Sequence, residues 1–142
     1  MPVAILSVTL PMAPHPPPQD GSLFNRVILV VEDHEDSAEY LAISLRMVGA
    51  RVFTVGTVKD AERQINTFRP DLIICDVRLP DGMGTDFIRW LRARDKQHGG
   101  ATPVIGVTAY DVDVASAGFD AFLRKPIDIA KLCNMAAQLI RR

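Results

Sequence analysis

Apolar runs at residues 27–31, 71–76, 104–107 and 121–123 each hand over abruptly to polar chemistry: Glu32-Asp33, Asp76 itself, Thr108 and Lys125-Pro126. Their near-continuous apolar character predicts strands buried on both faces, which favours a parallel sheet over an antiparallel one. Between them the period shifts to that of amphipathic helices. Residues 35–48 place Ala38, Leu41, Ala42, Leu45 and Val48 on one face, with Gly49 as the stop, and residues 51–55 make a short strand. Thr57 and Asp60 resemble a capping box opening a helix that continues through Ala61, Ile65 and Phe68 until Pro70. Pro80-Asp-Gly-Met-Gly84 has strong turn chemistry. A third helix over 85–93 faces inward through Phe87, Ile88 and Leu91. The last begins near Asp128 and carries Ile129, Leu132, Met135, Ala136 and Leu139 at helical spacing. Five strands alternating with five helical slots predict an α/β three-layer sandwich with right-handed crossovers.

In such a sheet the carboxyl ends of the strands meet along one edge. Three acids (Glu32, Asp33, Asp76), the Thr108 hydroxyl and the Lys125 ammonium would converge there, a group able to hold a divalent cation and a phosphoryl group together.

The remaining composition narrows the picture. At 142 residues and 48% hydrophobic the chain can bury one core and calls for no second domain. A net charge of −1 with scattered Arg and Lys leaves no basic field for direct nucleic-acid binding. Cys75 and Cys133 have neither metal-site nor disulfide-framework spacing and read as reduced packing residues, in keeping with a cytoplasmic location. Residues 1–12 are mildly apolar, but lack a basic start and are interrupted by Pro2 and Pro11. They are also far shorter than the roughly 20 residues that span a bilayer, so no membrane association is expected. The proline-rich 14–21 stretch favours extended or disordered structure. Residues 1–25 therefore read as a flexible tail, either a solvated linker or a proline-recognition motif, and 26–142 as the folded domain.

Taken in order, the motifs of residues 26–142 resemble the receiver domains of two-component response regulators. Glu32-Asp33 looks like that family's acidic pair and Asp76-Val-Arg-Leu-Pro80-Asp-Gly82 like its phosphoacceptor loop. Thr108-Ala109 and Lys125-Pro126 resemble the other two signatures, with Phe122 at the aromatic position three residues before the lysine. The resemblance implies a flavodoxin-like (βα)5 fold with sheet order 2-1-3-4-5. It implies that Asp76 accepts a phosphoryl group from a phosphohistidine on a sensor histidine kinase or histidine phosphotransferase. Mg²⁺ would be held by Asp33, Asp76 and the Arg78 backbone carbonyl, with Glu32 reaching it through water. Lys125 would pair with Asp76 and then with a phosphoryl oxygen, and Thr108 would donate to another. Ala109 leaves room for the phosphate, and Pro126 occupies the family's cis-proline position. Movement of Thr108 toward the phosphate would let Phe122 repack and signal by packing, since it has no hydroxyl; an ordinary core phenylalanine is the alternative.

Between Thr108 and Lys125 the chain is about one helical turn shorter than is usual in the family. A shortened fourth helix near 113–117, or an irregular loop, is therefore expected, which bears on any dimerisation through that helix. Asp81 and Asp86 read as turn and cap residues, and His34 as a surface histidine. Arg78 and Tyr110 either screen the phosphate from water or are exposed bystanders.

Rival functions fit less well. A haloacid-dehalogenase-type phosphatase needs an acid/base Asp two residues after the nucleophile, where this chain has Arg78. A flavodoxin-type cofactor binder needs a phosphate loop where residues 32–36 are acidic. A pseudo-receiver scaffold without phosphotransfer is the remaining alternative. The expectation is thus a signalling phosphoacceptor rather than an enzyme acting on external substrates. It is expected to be a monomer or weak dimer that switches a downstream protein target or passes the phosphate on.

Overall fold

The computed structural model describes residues 21–109 and 118–141. The main sheet consists of β1 (Val27–Val31), β2 (Arg51–Val55), β3 (Leu72–Asp76), β6 (Val104–Thr108) and β7 (Ala121–Arg124). All neighbours are parallel and the order is β2-β1-β3-β6-β7, the predicted 2-1-3-4-5 arrangement. Four helices are described: α1 (Glu35–Met47), α2 (Val58–Thr67), α3 (Gly84–Arg92) and α4 (Ile129–Arg141). The expected fourth-helix stub at 113–117, and Tyr110, lie outside the described residues.

Strand alternation explains the three layers. Ile28, Val30, Leu72, Ile74, Ile105 and Val107 face one core with Leu41 and Leu45 of α1 and Leu132 and Ala136 of α4. Leu29, Val31, Ile73, Cys75 and Val104 face the other with Ala61 and Ile65 of α2 and Phe87, Ile88 and Leu91 of α3. Each buried aliphatic side chain contributes about 1.5–3 kcal/mol, so both faces of β1 and β3 had to be apolar for the sheet to sit between the helix pairs. Cys75 and Cys133 are free and buried.

Local departures have local causes. Helix α2 ends at Thr67 because Phe68 turns extended, its ring stacking on Phe53 at 4.1 Å instead of continuing the helical face. Thr57 Oγ1 accepts from Asp60 N, but the Asp60 carboxylate pairs with Arg63, so only half of the expected capping box forms. Within the Pro80-to-Gly84 stretch, Pro80-Asp81 forms the turn of a short antiparallel hairpin between β4 (Arg78–Leu79) and β5 (Gly82–Met83). Within the predicted tail, residues 21–25 already pack on the domain. Leu23 is 1% exposed in the core, and Asn25 N donates to Gly49 O.

Arg92 at the end of α3 ties the lower ends of β6 and β7 together. Its guanidinium donates to the carbonyls of Gly118, Gly100 and Thr102 and to Asp120 Oδ2, which also accepts from Val104 N. This holds β7 in register, with Gly106 opposite Phe122 and Thr108 opposite Arg124, so the strand delivers Lys125 to the upper edge.

Candidate functional site

The carboxyl ends of β1, β3, β6 and β7 form the predicted pocket. Glu32 follows β1 and is 3% exposed; Asp76 ends β3 at 9% and Thr108 ends β6 at 7%. Asp33 is exposed. Carboxylate oxygens of Glu32, Asp33 and Asp76 lie within 4.8 Å of one another, a spacing and an all-oxygen donor set suited to a hard divalent cation.

Lys125 closes the site. Its Nζ donates to Asp76 Oδ2 at 2.9 Å and to Glu32 Oε1 at 2.8 Å. The Asp76 contact was legible in the sequence through the resemblance; the Glu32 contact was not, because a residue expected to reach a cation through water carries no signal for an ion pair across the pocket. The Lys125 backbone N donates to Thr108 O at 2.8 Å, and the Lys125–Pro126 peptide is cis, as expected. Asp76 Oδ1 accepts from Arg78 N at 3.2 Å, and Glu32 Oε2 accepts from His34 N at 3.2 Å. The Arg78 side chain is exposed.

Burial sets the electrostatics. Desolvation pushes the Glu32 carboxyl above its ordinary value, and the nearby Asp76 charge adds to this, while Lys125 and the His34 amide pull the other way. Burial works against the Lys125 ammonium, but its bonds to Glu32 and Asp76 outweigh that, so its pKa is raised and it stays charged. Burial also keeps Cys75 a thiol, assisted by the Asp76 and Glu32 charges, and its Sγ donates to Asp76 O at 3.2 Å.

A pH dependence follows from Glu32. Because its folded pKa lies above the unfolded value near 4.5, its contribution to stability is complete below that value and is lost as pH rises through the folded pKa. In metal-free buffer, thermal midpoints across acid pH are expected to show this decline in the wild type and a shallower one in Glu32→Gln. Parallel profiles would contradict the assignment.

Other residues support the site from outside. Asp81, read as a turn residue, caps α2 by accepting from Val58 N and Lys59 N, which holds its carboxyl below the usual aspartate range. Asp86 accepts from Met83 N at the start of α3, as a cap residue should. Gly84 was missed as a site residue. A Cβ there would lie 2.2 Å from the carbonyl oxygen of Asp76, and Gly84 N donates to Val77 O at 2.6 Å. Phe122 is half-buried, with its ring centroid 4.8 Å from that of Phe119. The ring also occupies the space over Gly106, where a Cβ would fall 2.6 Å from Phe122 Cε1.

Comparison with known proteins agrees with the geometry. The model of the response regulator receiver domain matches residues 28–137. The chain is 36% identical over 120 residues to the KDP operon transcriptional regulatory protein KdpE of Escherichia coli, covering 81% of this chain and 51% of that protein. It is 33% identical over 118 residues to the response regulator protein PilR of Pseudomonas aeruginosa, covering 80% and 26%. The chain thus spans about half or less of these relatives. Among solved structures, it is similar to the receiver domain of sensor histidine kinase PA1611 from Pseudomonas aeruginosa PAO1, which has a magnesium ion coordinated in its active-site cleft. That match has a TM-score of 0.77 at 30% identity and covers 83% of this chain and 99% of that one. No helix among the described residues is long and apolar enough to cross a membrane. With its flavodoxin-like sheet and its acids gathered at the strand ends, the chain belongs to the response regulator receiver domain family.

Proposed function

We propose that residues 26–142 act as a phosphorylation-controlled switch or phosphorelay intermediate, in which Asp76 accepts a phosphoryl group from a phosphohistidine of a sensor kinase or phosphotransferase. The observation that carries this reading is the Lys125 ammonium 2.9 Å from Asp76 Oδ2, beside three carboxylates within 4.8 Å of one another. An Asp76 oxygen forms the new O–P bond as the P–N bond of the donor breaks, and the departing imidazole keeps the electron pair and takes up a proton.

Attack by a carboxylate on a phosphoryl group sets anion against anion, so charge neutralisation and positioning dominate the chemistry. Lys125 supplies one neutralising charge and transfers its hydrogen bond from Asp76 to a phosphoryl oxygen. Thr108 donates to a second oxygen from the end of β6. Asp33, Asp76 and the Arg78 carbonyl would hold Mg²⁺, with Glu32 behind them. The ion would neutralise further phosphoryl charge and help to orient the group.

Output follows from the packing beside Thr108. A shift of Thr108 toward the phosphoryl group changes the space available to Phe122, whose ring rests on Gly106 and Phe119. The signal then passes to a downstream protein through that face, or the phosphoryl group moves on to another histidine. A pseudo-receiver that binds a partner without phosphotransfer is the competing reading, and the complete residue set argues against it.

Intact mass after incubation with Mg²⁺ and a small phosphodonor tests the proposal. Wild type should gain one phosphoryl group and Asp76→Asn none. Equal uptake by both would refute Asp76 as acceptor, and no uptake by either would favour the scaffold.

A further inference from the structure

At the opposite edge of the sheet, where the amino ends of β3 and β6 emerge, the loops following α2 and α3 enclose a cleft of about 250 Å³. Five residues of strand, at about 3.3 Å each, separate this edge from Asp76 by roughly 16 Å. The chain's net charge is −1, yet Arg69, Arg94 and Lys96 all line this cleft, with Asp71 as the lone carboxylate in its wall. Asp71 Oδ2 is already engaged by Val27 N at 2.8 Å.

Both guanidiniums are held in place by the same short 3-10 turn, Lys96–His98. Arg69 Nη1 donates to Gln97 O at 2.6 Å, and Arg94 Nε donates to His98 O at 2.7 Å. Arg94 is further fixed by Asn66 Oδ1 at 2.6 Å and by stacking 4.6 Å over the Trp90 ring. These contacts use only some of the ten N–H donors that two guanidiniums carry. Among the described residues the Lys96 ammonium has no hydrogen-bond or ion-pair partner. His98 also lines the cleft, and its ring is paired with the Asp95 carboxylate.

We infer that this cleft is an anion site for a small phosphate-bearing ligand, of the size of phosphate or pyrophosphate. Three positive charges around one cavity, two of them fixed, match a phosphate dianion better than a single carboxylate, and planar guanidiniums suit its paired oxygens. Immobilising the two arginines in advance lowers the entropic cost of binding. The volume lies below the range of roughly 300–1,000 Å³ usual for larger organic ligands, so a nucleotide base and sugar would remain outside. Binding would bridge the loops after α2 and α3 and stabilise the fold by mass action.

Amide NMR of the full chain in metal-free buffer, titrated with inorganic phosphate and separately with pyrophosphate at constant ionic strength, tests the inference. Saturable shifts confined to residues 66–71 and 94–102 are expected, with pyrophosphate binding about tenfold more tightly than phosphate. Arg69→Ala, at an exposed position with one backbone bond, should weaken pyrophosphate binding at least tenfold while retaining the wild-type spectrum elsewhere. Lys96→Ala should act in the same direction if the arginine variant fails to fold. Non-saturating shifts, shifts reproduced by chloride, binding centred on the Asp76 loop, or undiminished affinity in a folded variant would each overturn it.

Discussion

Lys125→Met is expected to slow phosphorylation by a small phosphodonor about a hundredfold or more, the scale seen when a fixed electrostatic stabiliser is removed from a charged transition state. In the resting site the ammonium bridges Asp76 Oδ2 at 2.9 Å and Glu32 Oε1 at 2.8 Å. The phosphoryl group would arrive at a pocket with three carboxylates and no ammonium to meet it. The same substitution should not weaken Mg²⁺ binding and should strengthen it, because a positive charge has left the neighbourhood of the ligands. That opposition separates a charge effect from unfolding: fluorescence or NMR titration would show metal binding retained while mass spectrometry shows little phosphorylated product. Lys125→Arg should restore little, since a planar guanidinium does not reproduce the compact point charge that reaches both carboxylates. Wild-type rates in Lys125→Met would remove Lys125 from the mechanism.

Gly84→Ala should cost the domain substantial stability through a single methyl group placed beside the site. The new Cβ would meet the Asp76 carbonyl oxygen at 2.2 Å and Cys75 Sγ at 3.1 Å. The first of these is backbone, so no side-chain rotation relieves it. Either the start of α3 retreats or the end of β3 moves, and Gly84 is buried with its amide committed to Val77 O at 2.6 Å. Overpacking of this kind costs typically about 1–3 kcal/mol and sometimes more, which corresponds to roughly 3–15 °C in thermal midpoint for a domain of this size. Phosphorylation should slow as well, because the displaced backbone carries the Asp76 carboxylate, the proposed acceptor. Thermal unfolding and phosphorylation rate measured on the same sample check both effects. A midpoint within a degree of wild type would mean that the loop accommodates a methyl group and that the close approach is not restrictive.

The two variants mark where sequence reading works in this protein. Lys125 could be singled out before any coordinates, because a lysine one residue beyond an apolar run and directly before a proline stands at a strand end whatever the surrounding topology. Gly84 could not. Its sequence context, Pro80 to Gly84, signals a turn, and a turn glycine normally implies backbone freedom; here the requirement is clearance from a carbonyl eight residues earlier. Asp81 is a similar case. Turn chemistry describes its neighbours correctly, yet its carboxylate caps a helix more than twenty residues upstream.

The chain's order of apolar and polar residues was enough to determine the alternation of strands and helices, the burial of both sheet faces, and which carboxylates, hydroxyl and ammonium stand at strand ends. Those properties depend on periodicity and on the polarity of neighbours, both of which are local. The bond between Lys125 and Glu32, the clearance at Gly84, the resting place of the Phe122 ring over Gly106, and the gathering of Arg69, Arg94 and Lys96 around one cleft were decided only by tertiary structure. Each depends on how segments far apart in the chain approach in space, a distance fixed by packing of the two cores and the register of parallel strands rather than by any residue's own neighbours.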